Sequence, residues 1–459
     1  MIFSKEELSQ IFSQDVCKDV YGISINSKEV QKGDLFIALR GEKTNGHKFI
    51  KDAIEHGASL ALTEENTDSN ILKDNLIYVS STYEALRKLA KYNLSESTSA
   101  KYLAVTGSVG KTTTKNMIFH ILDKNMDKSE VYVSKKNYNS QIGMPICAAL
   151  MPRNTKIAIF EMGMSSFGNI KKLVDLVKPS VALITNIGEN HLESFESQFD
   201  IAKAKSEIFE NGADIAIIPN DSPYADFLKE KAKMDGIKNV ITFGQNKESD
   251  IRILSSKLEN GHITAEVAFL GKVIKYKLNC ENIAFVWNSV AAITAAHVIS
   301  NIDIEKLVNS IESFQVTKKR NEVIHLNKKN ITLIDDSYNA SPISVKWALR
   351  SLGLREHSGR KIAVIGDMLC LGANSRYFHE NLAPTIDKYG IDRVFTCGNM
   401  ARYFFENLRT QKKGDWKKNS HDLAESILKD AQDNDCILIK GSNAMNMDYI
   451  VNVLKEHFA

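Results

Sequence analysis

The chain has 459 residues, of which 43% are hydrophobic and 25% are charged, a composition typical of soluble globular proteins. Its 59 basic and 56 acidic residues leave a formal net charge of +3, which argues against a surface built to bind nucleic acid or anionic membranes. At roughly 150 residues per domain, we expect about three domains.

The cysteines and the apolar segments indicate a cytoplasmic protein without membrane insertion. The six cysteines form no C-x-x-C pair, which favours small buried side chains in a reducing compartment over a disulfide framework or a zinc site. The N-terminal stretch carries charges where a secretory signal has an apolar core. The apolar segment 283–299 contains Asn288, Ser289, Thr294 and His297, so we predict a buried helix there rather than a membrane span.

Residues 1–97 are predicted to form a small mixed α/β domain. The run GDLFIAL, which starts at Gly33, is typical of a buried strand, and a helix, a glycine stop at Gly57 and a second strand follow it. The stretch NLSESTSA at 93–100 is almost entirely polar, which indicates a linker.

Residues 98–313 are predicted to form the second domain, in which short apolar strands alternate with helical segments. This alternation predicts a mostly parallel sheet with helices on both faces. Ligands of such sheets bind beyond the carboxyl ends of the strands. The predicted strand ends carry residues suited to chemistry, namely Gly107, Lys111, Glu161, Asn186 and His191.

Residues 314–459 are predicted to form a third, Rossmann-like α/β domain, because the alternation starts afresh there. Its strand ends include ITLIDDSYNASP, KIAVIGDM, DRVFTCGNM and CILIKGSNA. The first of them places Asp336 before a turn with Tyr338 and Asn339. From the spacing alone, a capped strand-to-helix connection explains this turn better than a ligand site does.

The stretch TGSVGKTTT is predicted to bind nucleotide phosphates. Gly107 and Gly110 would let backbone amides approach phosphate oxygens at the start of a helix. Lys111 would reach the terminal phosphates, and the Thr112 hydroxyl would bind Mg²⁺. The general pattern G-x-x-x-x-G-K-[ST] has its first glycine where this chain has Val105, so the loop is a shortened variant. A glycine-rich turn without a ligand is the competing interpretation.

Glu161 and His191 are candidate ligands for a divalent cation beside those phosphates. Glu161 lies at the end of the strand KIAIFEMG, and His191 follows the strand in SVALITNIGENH. A carboxylate and an imidazole at neighbouring strand ends can both ligate such a cation. Each residue alone would more often be an ordinary polar strand terminus.

Eight motifs occur in the order expected of the Mur ligases, so the chain resembles that family over nearly its whole length. They are TGSVGKTTTK, NYNSQIGMP, EMGMSSFGNI, NIGENHLESFES, AKAKSEIF, IDDSYNASP, IGDMLCLG and KGS. The stretch SINSKEVQKGDLFIALRGEKTNGHKFI resembles the family's UDP-binding N-terminal domain.

The resemblance implies a cytoplasmic ligation in peptidoglycan precursor synthesis, with ATP and Mg²⁺ as cofactors. ATP would phosphorylate the terminal carboxylate of a UDP-N-acetylmuramoyl-tripeptide, and the amine of D-alanyl-D-alanine would displace phosphate from the acyl phosphate. Both steps gather negative charge, so the site needs cations and amide donors more than a covalent nucleophile. The partners would be these small molecules and no nucleic acid, and we expect a monomer.

The resemblance also assigns roles to individual residues. The catalytic residues it implies are Lys111, His191, Lys205, Asn137 and Asn139. The metal would be held by Thr112, Glu161, His191 and, if carbamylated as in several relatives, Lys205. The ATP-binding residues it implies are Thr106, Gly107, Ser108, Val109, Gly110, Lys111, Thr112, Thr113, Asn288, Arg320, Asp336, Tyr338 and Asn339. Ser27 and Lys28 would contact the UDP end. A solvated helix lysine is the alternative for Lys205.

The chain departs from the family pattern in three places, which lie at both ends of the substrate cleft that the resemblance implies. The N-terminal Asp-Ser-Arg pattern is Asn26-Ser27-Lys28 here, and lysine cannot reproduce a bidentate arginine contact. The segment NCENIAFVWNSVAA keeps Asn288 but lacks the family's His-Asn pair near adenine. Asn443 stands where the motif KGSR has arginine.

Two other interpretations remain open on the sequence. A sibling ligase would keep the chemistry and add another amine, but the DNPR motif of the branch that adds diaminopimelate or lysine is missing, which favours the dipeptide-adding branch. A non-catalytic nucleotide-binding regulator would be expected to have lost Lys111, Glu161 or His191, and all three are present.

Overall fold

The computed structural model describes residues 1–41, 44–64, 73–135 and 138–459. Strands and helices alternate along these residues in three successive α/β domains, each organised around one sheet. The predicted fold class is therefore confirmed.

The first domain has a sheet of four parallel strands in the order β1-β2-β3-β4. Its middle strands are buried on both faces, because α2 covers one face and α1 and α3 cover the other. The elements are α1 (Lys5–Phe12), β1 (Gly22–Ser24), β2 (Asp34–Ile37), α2 (Ile50–Glu55), β3 (Leu60–Thr63), β4 (Leu76–Tyr78) and α3 (Thr82–Glu96).

The second domain has a nine-stranded sheet in the order β13-β12-β11-β10-β9-β8-β5-β7-β6. Its strands are β5 (Lys101–Thr106), β6 (Val131–Val133), β7 (Ile157–Glu161), β8 (Val181–Ile184), β9 (Ile215–Pro219), β10 (Asn239–Gly244), β11 (Ile251–Glu259), β12 (His262–Phe269) and β13 (Lys272–Leu278). Its helices are α4 (Lys111–Asn125), α5 (Gly143–Ala149), α6 (Asn169–Val177), α7 (Gln198–Ser206), α8 (Ala225–Met234), α9 (Phe285–Ser300) and α10 (Ile304–Ile311).

The strands up to β11 pair in parallel, but β12 and β13 are antiparallel. Tight turns cause this reversal: Asn260-Gly261 and Leu270-Gly271 all have positive φ, the conformation of a two-residue hairpin turn. The predicted buried helix in 283–299 is confirmed as α9, most of whose side chains are buried.

The third domain has a six-stranded sheet in the order β14-β15-β19-β16-β17-β18, parallel except for β14. Its strands are β14 (Glu322–Leu326), β15 (Ile331–Asp336), β16 (Lys361–Gly366), β17 (Arg393–Cys397), β18 (Lys413–Lys417) and β19 (Cys436–Lys440). Its helices are α11 (Pro342–Leu354), α12 (Ser375–Glu380), α13 (Ala383–Lys388), α14 (Ala401–Glu406), α15 (Ser420–Asp430) and α16 (Asp448–Phe458).

The sequence predicts a buried helix rather than a membrane span, and it predicts that the six cysteines are buried. Helices in the described ranges are too short or too polar to cross a bilayer. Four cysteines are buried as expected, but Cys17 and Cys370, which lie on loops, are exposed.

Candidate active site

The phosphate-loop motif joins β5 to α4 and requires glycine at two positions. Gly107 has φ +148° and Gly110 has φ +83°. A Cβ on Gly107 would collide with the Thr185 hydroxyl, and a Cβ on Gly110 would lie 2.5 Å from Asn288 Oδ1. Because α4 begins at Lys111 directly after the loop, its free amides face the loop, as an anion site requires.

Two side chains that follow β8 hold this loop in place. Asn186 Oδ1 accepts a hydrogen bond from the Val109 amide at 2.9 Å, and Asn186 Nδ2 donates to the Val109 carbonyl at 3.1 Å. The Thr185 hydroxyl donates to the same carbonyl at 2.6 Å. Strand β8 lies beside β5, so the sheet order itself brings this clamp to the loop.

Two buried lysines converge on one carbonyl oxygen of the loop. Lys111 Nζ donates to the Gly107 oxygen at 2.8 Å, and Lys205 Nζ, from α7, donates to the same oxygen at 3.0 Å. Burial, and secondly the charge of Lys111, hold the pKa of Lys205 well below its ordinary value. Burial also lowers the pKa of Lys111. The interpretation of Lys205 as a solvated helix lysine is therefore wrong, since its side chain is buried against the loop.

Glu161 ends β7 with both carboxylate oxygens engaged. Oε1 accepts from Asn139 Nδ2 at 2.7 Å, and Oε2 accepts from the Thr112 hydroxyl at 2.9 Å. The ammonium of Lys115 lies 3.7 Å from Oε2 and donates to the Ser134 carbonyl at 2.7 Å. Sequence reasoning missed Lys115, although its place one helical turn after Lys111 could have indicated it.

His191 lies on the loop after β8 with a left-handed backbone, φ +61°. Burial first, and then the nearby charges of Lys205 and Lys111, lower the pKa of His191 to about 4. The imidazole is therefore neutral near pH 7 and keeps a nitrogen lone pair, which a metal ligand requires.

The third domain completes the site with Arg320, which precedes β14, and with residues at and just after the carboxyl ends of β15 and β19. Asp336 accepts from Lys440 Nζ at 2.7 Å, and the same ammonium donates to the Asn339 carbonyl at 2.8 Å. The guanidinium of Arg320 lies 3.8 Å from the centre of the Tyr338 ring. Sequence reasoning missed Lys440, although it is the lysine of the motif KGS.

Arg320 also links the third domain to the second. Its Nη2 donates to the Thr112 hydroxyl at 3.3 Å, so the arginine lies directly beside the phosphate loop. This hydrogen bond spans the seam between the two domains, while the stacking on Tyr338 stays within the third domain.

The predicted residues line one cavity of about 910 Å³ between the second and third domains. Those that line it are Ser108, Val109, Gly110, Lys111, Thr112, Thr113, Asn139, Glu161, His191, Lys205, Asn288, Arg320, Asp336, Tyr338 and Asn339. The side chain of Thr106 is buried below the loop and donates to the Met162 carbonyl at 2.8 Å. Ser27 and Lys28 lie in the first domain, away from this cavity. Asn137 falls outside the described residues.

The segment that lacks the family's His-Asn pair contributes Trp287 to an aromatic pair with the third domain. Trp287 from α9 and Trp347 from α11 have ring centroids 4.9 Å apart, and both line the cavity. Trp287 Nε1 donates to Asp221 Oδ2 at 2.7 Å. Sequence reasoning missed this pair, because nothing in the two segments indicates that they meet.

The donor set fits Mg²⁺ held partly by a substrate. Among the described side chains, no three His, Cys, Asp or Glu residues converge to form an all-protein cage. Mg²⁺ usually binds through one or two carboxylates together with substrate phosphates. Glu161 and the Thr112 hydroxyl beside the phosphate loop provide such an arrangement.

Comparison with known proteins identifies the family. Models of the Mur ligase middle domain, of the glutamate ligase domain and of the Mur ligase catalytic domain match residues 105–296, 319–443 and 19–93. The UDP-N-acetylmuramoyl-tripeptide–D-alanyl-D-alanine ligase of Rickettsia prowazekii is 34% identical over 456 residues, which cover 98% of this chain and 99% of the relative. The chain belongs to the Mur ligase family. The enzyme of the same name from Bacillus subtilis is 34% identical over 95% of this Mur ligase and 93% of its own length.

Solved Mur ligases share the fold over almost the whole chain. A crystal structure of MurF from Acinetobacter baumannii superposes with a TM-score of 0.88 at 26% identity, covering 99% of both chains. MurF from Thermotoga maritima in complex with ADP superposes with a TM-score of 0.81 at 27% identity, covering 96% of this chain and 98% of that one.

Proposed function

We propose that this Mur ligase joins D-alanyl-D-alanine to UDP-N-acetylmuramoyl-tripeptide at the expense of ATP, in peptidoglycan precursor synthesis. The observation that carries this conclusion is the full-length match to ligases of that name, together with a cavity in which the phosphate loop, Glu161 and His191 are all retained. A regulator that kept only the fold would have no need of all three.

Residues of this chain promote the first step, transfer of the γ-phosphoryl group to the substrate carboxylate, by stabilising negative charge. Lys111 and the loop amides bind the terminal phosphates, and Arg320 approaches the same oxygens from the third domain. As the substrate carboxylate attacks the γ-phosphate, negative charge accumulates on the phosphoryl oxygens. Fixed cations and amides that line the cavity stabilise that charge.

Glu161, Thr112 and neutral His191 hold Mg²⁺ in this proposal. When bound, Mg²⁺ neutralises phosphate charge and orients the phosphoryl group. Asn139 acts through Glu161, since its amide fixes one carboxylate oxygen and leaves the other facing the Thr112 hydroxyl. Asp336 is held by Lys440 for the ATP ribose.

Lys205 is carbamylated in the active enzyme. The lowered pKa of Lys205 favours the uncharged amine, and that form adds CO₂ to give a carbamate and a released proton. The carbamate supplies the second anionic oxygen ligand for a cation beside His191. We expect ligase activity to fall on thorough removal of bicarbonate and to return on its addition, and intact-mass measurement at near-neutral pH to show one added CO₂. A Lys205→Ala variant whose activity is rescued by short-chain carboxylates would support the assignment, whereas a fully active Lys205→Ala variant would contradict it.

The proposed activity is tested by phosphate release from Mg-ATP with UDP-muramoyl-tripeptide and a panel of amines, with products identified by mass. The panel holds D-alanyl-D-alanine, D-alanyl-D-lactate, D-alanine, L-lysine and diaminopimelate. We expect turnover with D-alanyl-D-alanine and loss of that turnover in Lys111→Ala. Turnover with another amine alone would move the function to a sibling ligase. ATP binding without any turnover would favour the regulator.

Three further assignments belong to this proposal. The domains are divided at 1–97, 98–313 and 314–459, and UDP binds the first of them at Ser27 and Lys28. The ligase acts as a monomer. It works in the cytoplasm, where its nucleotide substrates are made.

A further inference from the structure

The loop that carries His191 lies in the seam between the second and third domains. It follows β8 and belongs to the motif NIGENHLESFES. Residues of the third domain approach it closely on both sides of the histidine, at Gly188 before it and at Leu192 and Glu193 after it. We call residues 188–193 the histidine loop.

The first close approach is between Gly188 and the first turn of α11. A Cβ on Gly188 would lie 3.1 Å from Cγ2 of Ile343, so the two surfaces leave little room for a side chain. Gly188 is also bonded to the phosphate loop, since its amide donates to Ser108 Oγ at 2.8 Å and its carbonyl accepts from the same hydroxyl at 3.0 Å. Gly188 is therefore held between the phosphate loop and the third domain.

The second close approach is between the other end of the histidine loop and Gly372, from the motif IGDMLCLG. Gly372 has φ +57°, and a Cβ there would lie 3.1 Å from the Leu192 carbonyl oxygen and 3.2 Å from the Cα of Glu193. Glycine here allows both the left-handed backbone and the contact of one backbone with another. The proposed chemistry itself uses no residue of this motif.

The segment before Gly372 is fixed within the third domain. The Met368 amide donates to His379 Nε2 at 3.0 Å. The Leu369 amide donates to the Ser442 hydroxyl at 2.9 Å. Because these bonds tie the segment to its own domain, a shift of the third domain is passed on to the histidine loop.

His191 lies between the two approaches with a backbone that its surroundings must hold. Its φ of +61° is uncommon for a residue other than glycine, and such a conformation persists where neighbouring structure fixes it. Within the loop, the Asn190 amide donates to the Gly188 carbonyl at 3.0 Å, and the Ser194 amide donates to the His191 carbonyl at 2.9 Å. The position of the imidazole therefore follows the position of the loop.

We propose that Gly188 and Gly372 are positioning residues for the metal site, because through them the third domain sets the place of His191 beside the phosphate loop. The inference rests on the proposed function, in which His191 is a ligand of Mg²⁺. It adds a coupling between the position of the third domain and the affinity for the cation.

Direct binding of Mn²⁺, used in place of Mg²⁺, tests the coupling without relying on turnover. Electron paramagnetic resonance measures the Kd of Mn²⁺ for the full-length protein, held in excess over ADP so that nearly all the nucleotide is bound. Gly372→Asn should raise this Kd about tenfold, as the loss of a group that supports a metal ligand does. Asparagine tolerates positive φ, so the variant should fold. The Kd of ADP measured without metal should stay within about twofold of the wild-type value.

Gly390→Asn is the matched control for Gly372→Asn. Gly390 lies in the same domain with φ +64°, but a Cβ there would meet nothing within 4 Å. Its substitution should leave the Kd of Mn²⁺ unchanged. His191→Ala should itself raise this Kd, and adding Gly372→Asn to His191→Ala should raise it no further, because the two substitutions act on one ligand.

A compensating pair of substitutions tests the approach at Gly188. Gly188→Ala should raise the Kd of Mn²⁺, because the added methyl group presses against Ile343 Cγ2. Ile343→Ala removes that methyl group from the third domain, so the double variant should recover most of the lost affinity. A double variant as weak as Gly188→Ala alone would show that the loss arises within the second domain and would overturn this contact.

The remaining outcomes separate the coupling from the proposed function. An unchanged Kd of Mn²⁺ in Gly372→Asn, with a wild-type protein that joins D-alanyl-D-alanine, overturns the coupling and leaves the function standing. Equal weakening of Mn²⁺ binding and of metal-free ADP binding also overturns it, because the whole third domain is then displaced. An unchanged Kd in His191→Ala overturns it by removing the ligand on which it depends. Weaker Mn²⁺ binding in Gly372→Asn but not in Gly390→Asn, in a protein that turns over no amine, overturns the function and leaves the coupling standing.

Discussion

The first and third domains are joined to the central domain in different ways. One hydrophobic core runs without a break from the first domain into the second, from Leu35 and Leu89 to Met144 and Phe160. The third domain has two cores of its own, built only from residues after 325. Shared apolar burial makes two domains one mechanical unit, whereas separate cores leave a seam that can open.

The two junctions also differ in their polar contacts. At the first junction, the buried amide of Asn93 donates to the carbonyls of Ala148 and Met151 at 3.0 and 2.8 Å. At the second, one face of α11 meets α9 and the segment before it. Trp347 packs on Trp287 of α9, and the Ser351 hydroxyl accepts from the Ile283 amide at 3.1 Å. Since the proposed nucleotide-binding residues are divided across this second seam, we expect its movement to assemble or dismantle the site.

Arg320 gives the largest expected effect, because it is the seam residue that reaches the phosphate loop. Arg320→Ala should lower kcat about 100-fold, the usual cost of removing one charged donor to a transition state, with little change in the unfolding midpoint. Steady-state kinetics and a thermal melt measure both. The matched control is Arg376→Ala, since Arg376 stacks on Tyr403 in the same way, at 4.4 Å, but is remote from the cavity. Full activity in Arg320→Ala would show that the seam contributes nothing to catalysis.

Asn93→Ala should show the opposite pattern, with lost stability and unchanged chemistry. The substitution removes the donor of the Met151 carbonyl and one of the donors of the Ala148 carbonyl, at a cost of about 1–3 kcal/mol in the free energy of unfolding. Urea unfolding followed by circular dichroism measures this, and kcat of the folded fraction should match the wild-type value. Asn381→Ala is the control, because that amide makes one exposed bond, to the Tyr377 carbonyl. A loss as small as the control's would mean that the apolar core alone holds the first junction.

His379 should give the third domain an acid sensitivity of its own, separate from the one that His191 gives the central domain. The ring is buried, accepts from the Met368 amide at 3.0 Å through Nε2 and contacts the Ser375 carbonyl through Nδ1 at 2.7 Å. Burial lowers its pKa below the ordinary 6.5, so the unfolded chain takes up the proton first. Stability is therefore full above pH 6.5 and falls as the pH drops towards the folded pKa, by at most about 1.4 kcal/mol per pH unit.

Hydrogen exchange between pH 7.5 and 5.5 measures this sensitivity, once rates are corrected for intrinsic exchange. Peptides from β16 and β17 should lose protection in the wild type and lose less in His379→Gln, while peptides from β5 and β7 should behave alike in the two proteins. An equal effect of His379→Gln on β5 and β7 would contradict independent cores.

Domain closure gives the smallest expected signal. With a non-hydrolysable ATP analogue and the UDP-muramoyl-tripeptide both bound, the third domain should rotate onto the central sheet, and the radius of gyration should fall by roughly 2–5%. Small-angle scattering with each ligand alone and with both together tests this. Identical profiles in all states would show that the seam is already closed.

The sequence by itself determined the parts of this protein that follow local rules. A strand, a glycine-rich turn and a helix that opens on Lys111 are read from adjacent residues, and buried parallel strands place Glu161 and His191 at one edge of a sheet. The resemblance to the Mur ligases added Lys205, Arg320 and Asp336, which no spacing rule would have selected.

Only the tertiary structure decided which of these side chains touch. The contacts of Lys205 with the Gly107 carbonyl and of Asn186 with Val109 depend on β5 lying beside β8, and that of Lys440 with Asp336 on β15 lying beside β19. The meeting of Trp287 with Trp347 depends on how two domains pack. Strand order and domain packing depend on the apolar surface that the whole chain buries. They therefore cannot be predicted from any short stretch of the sequence.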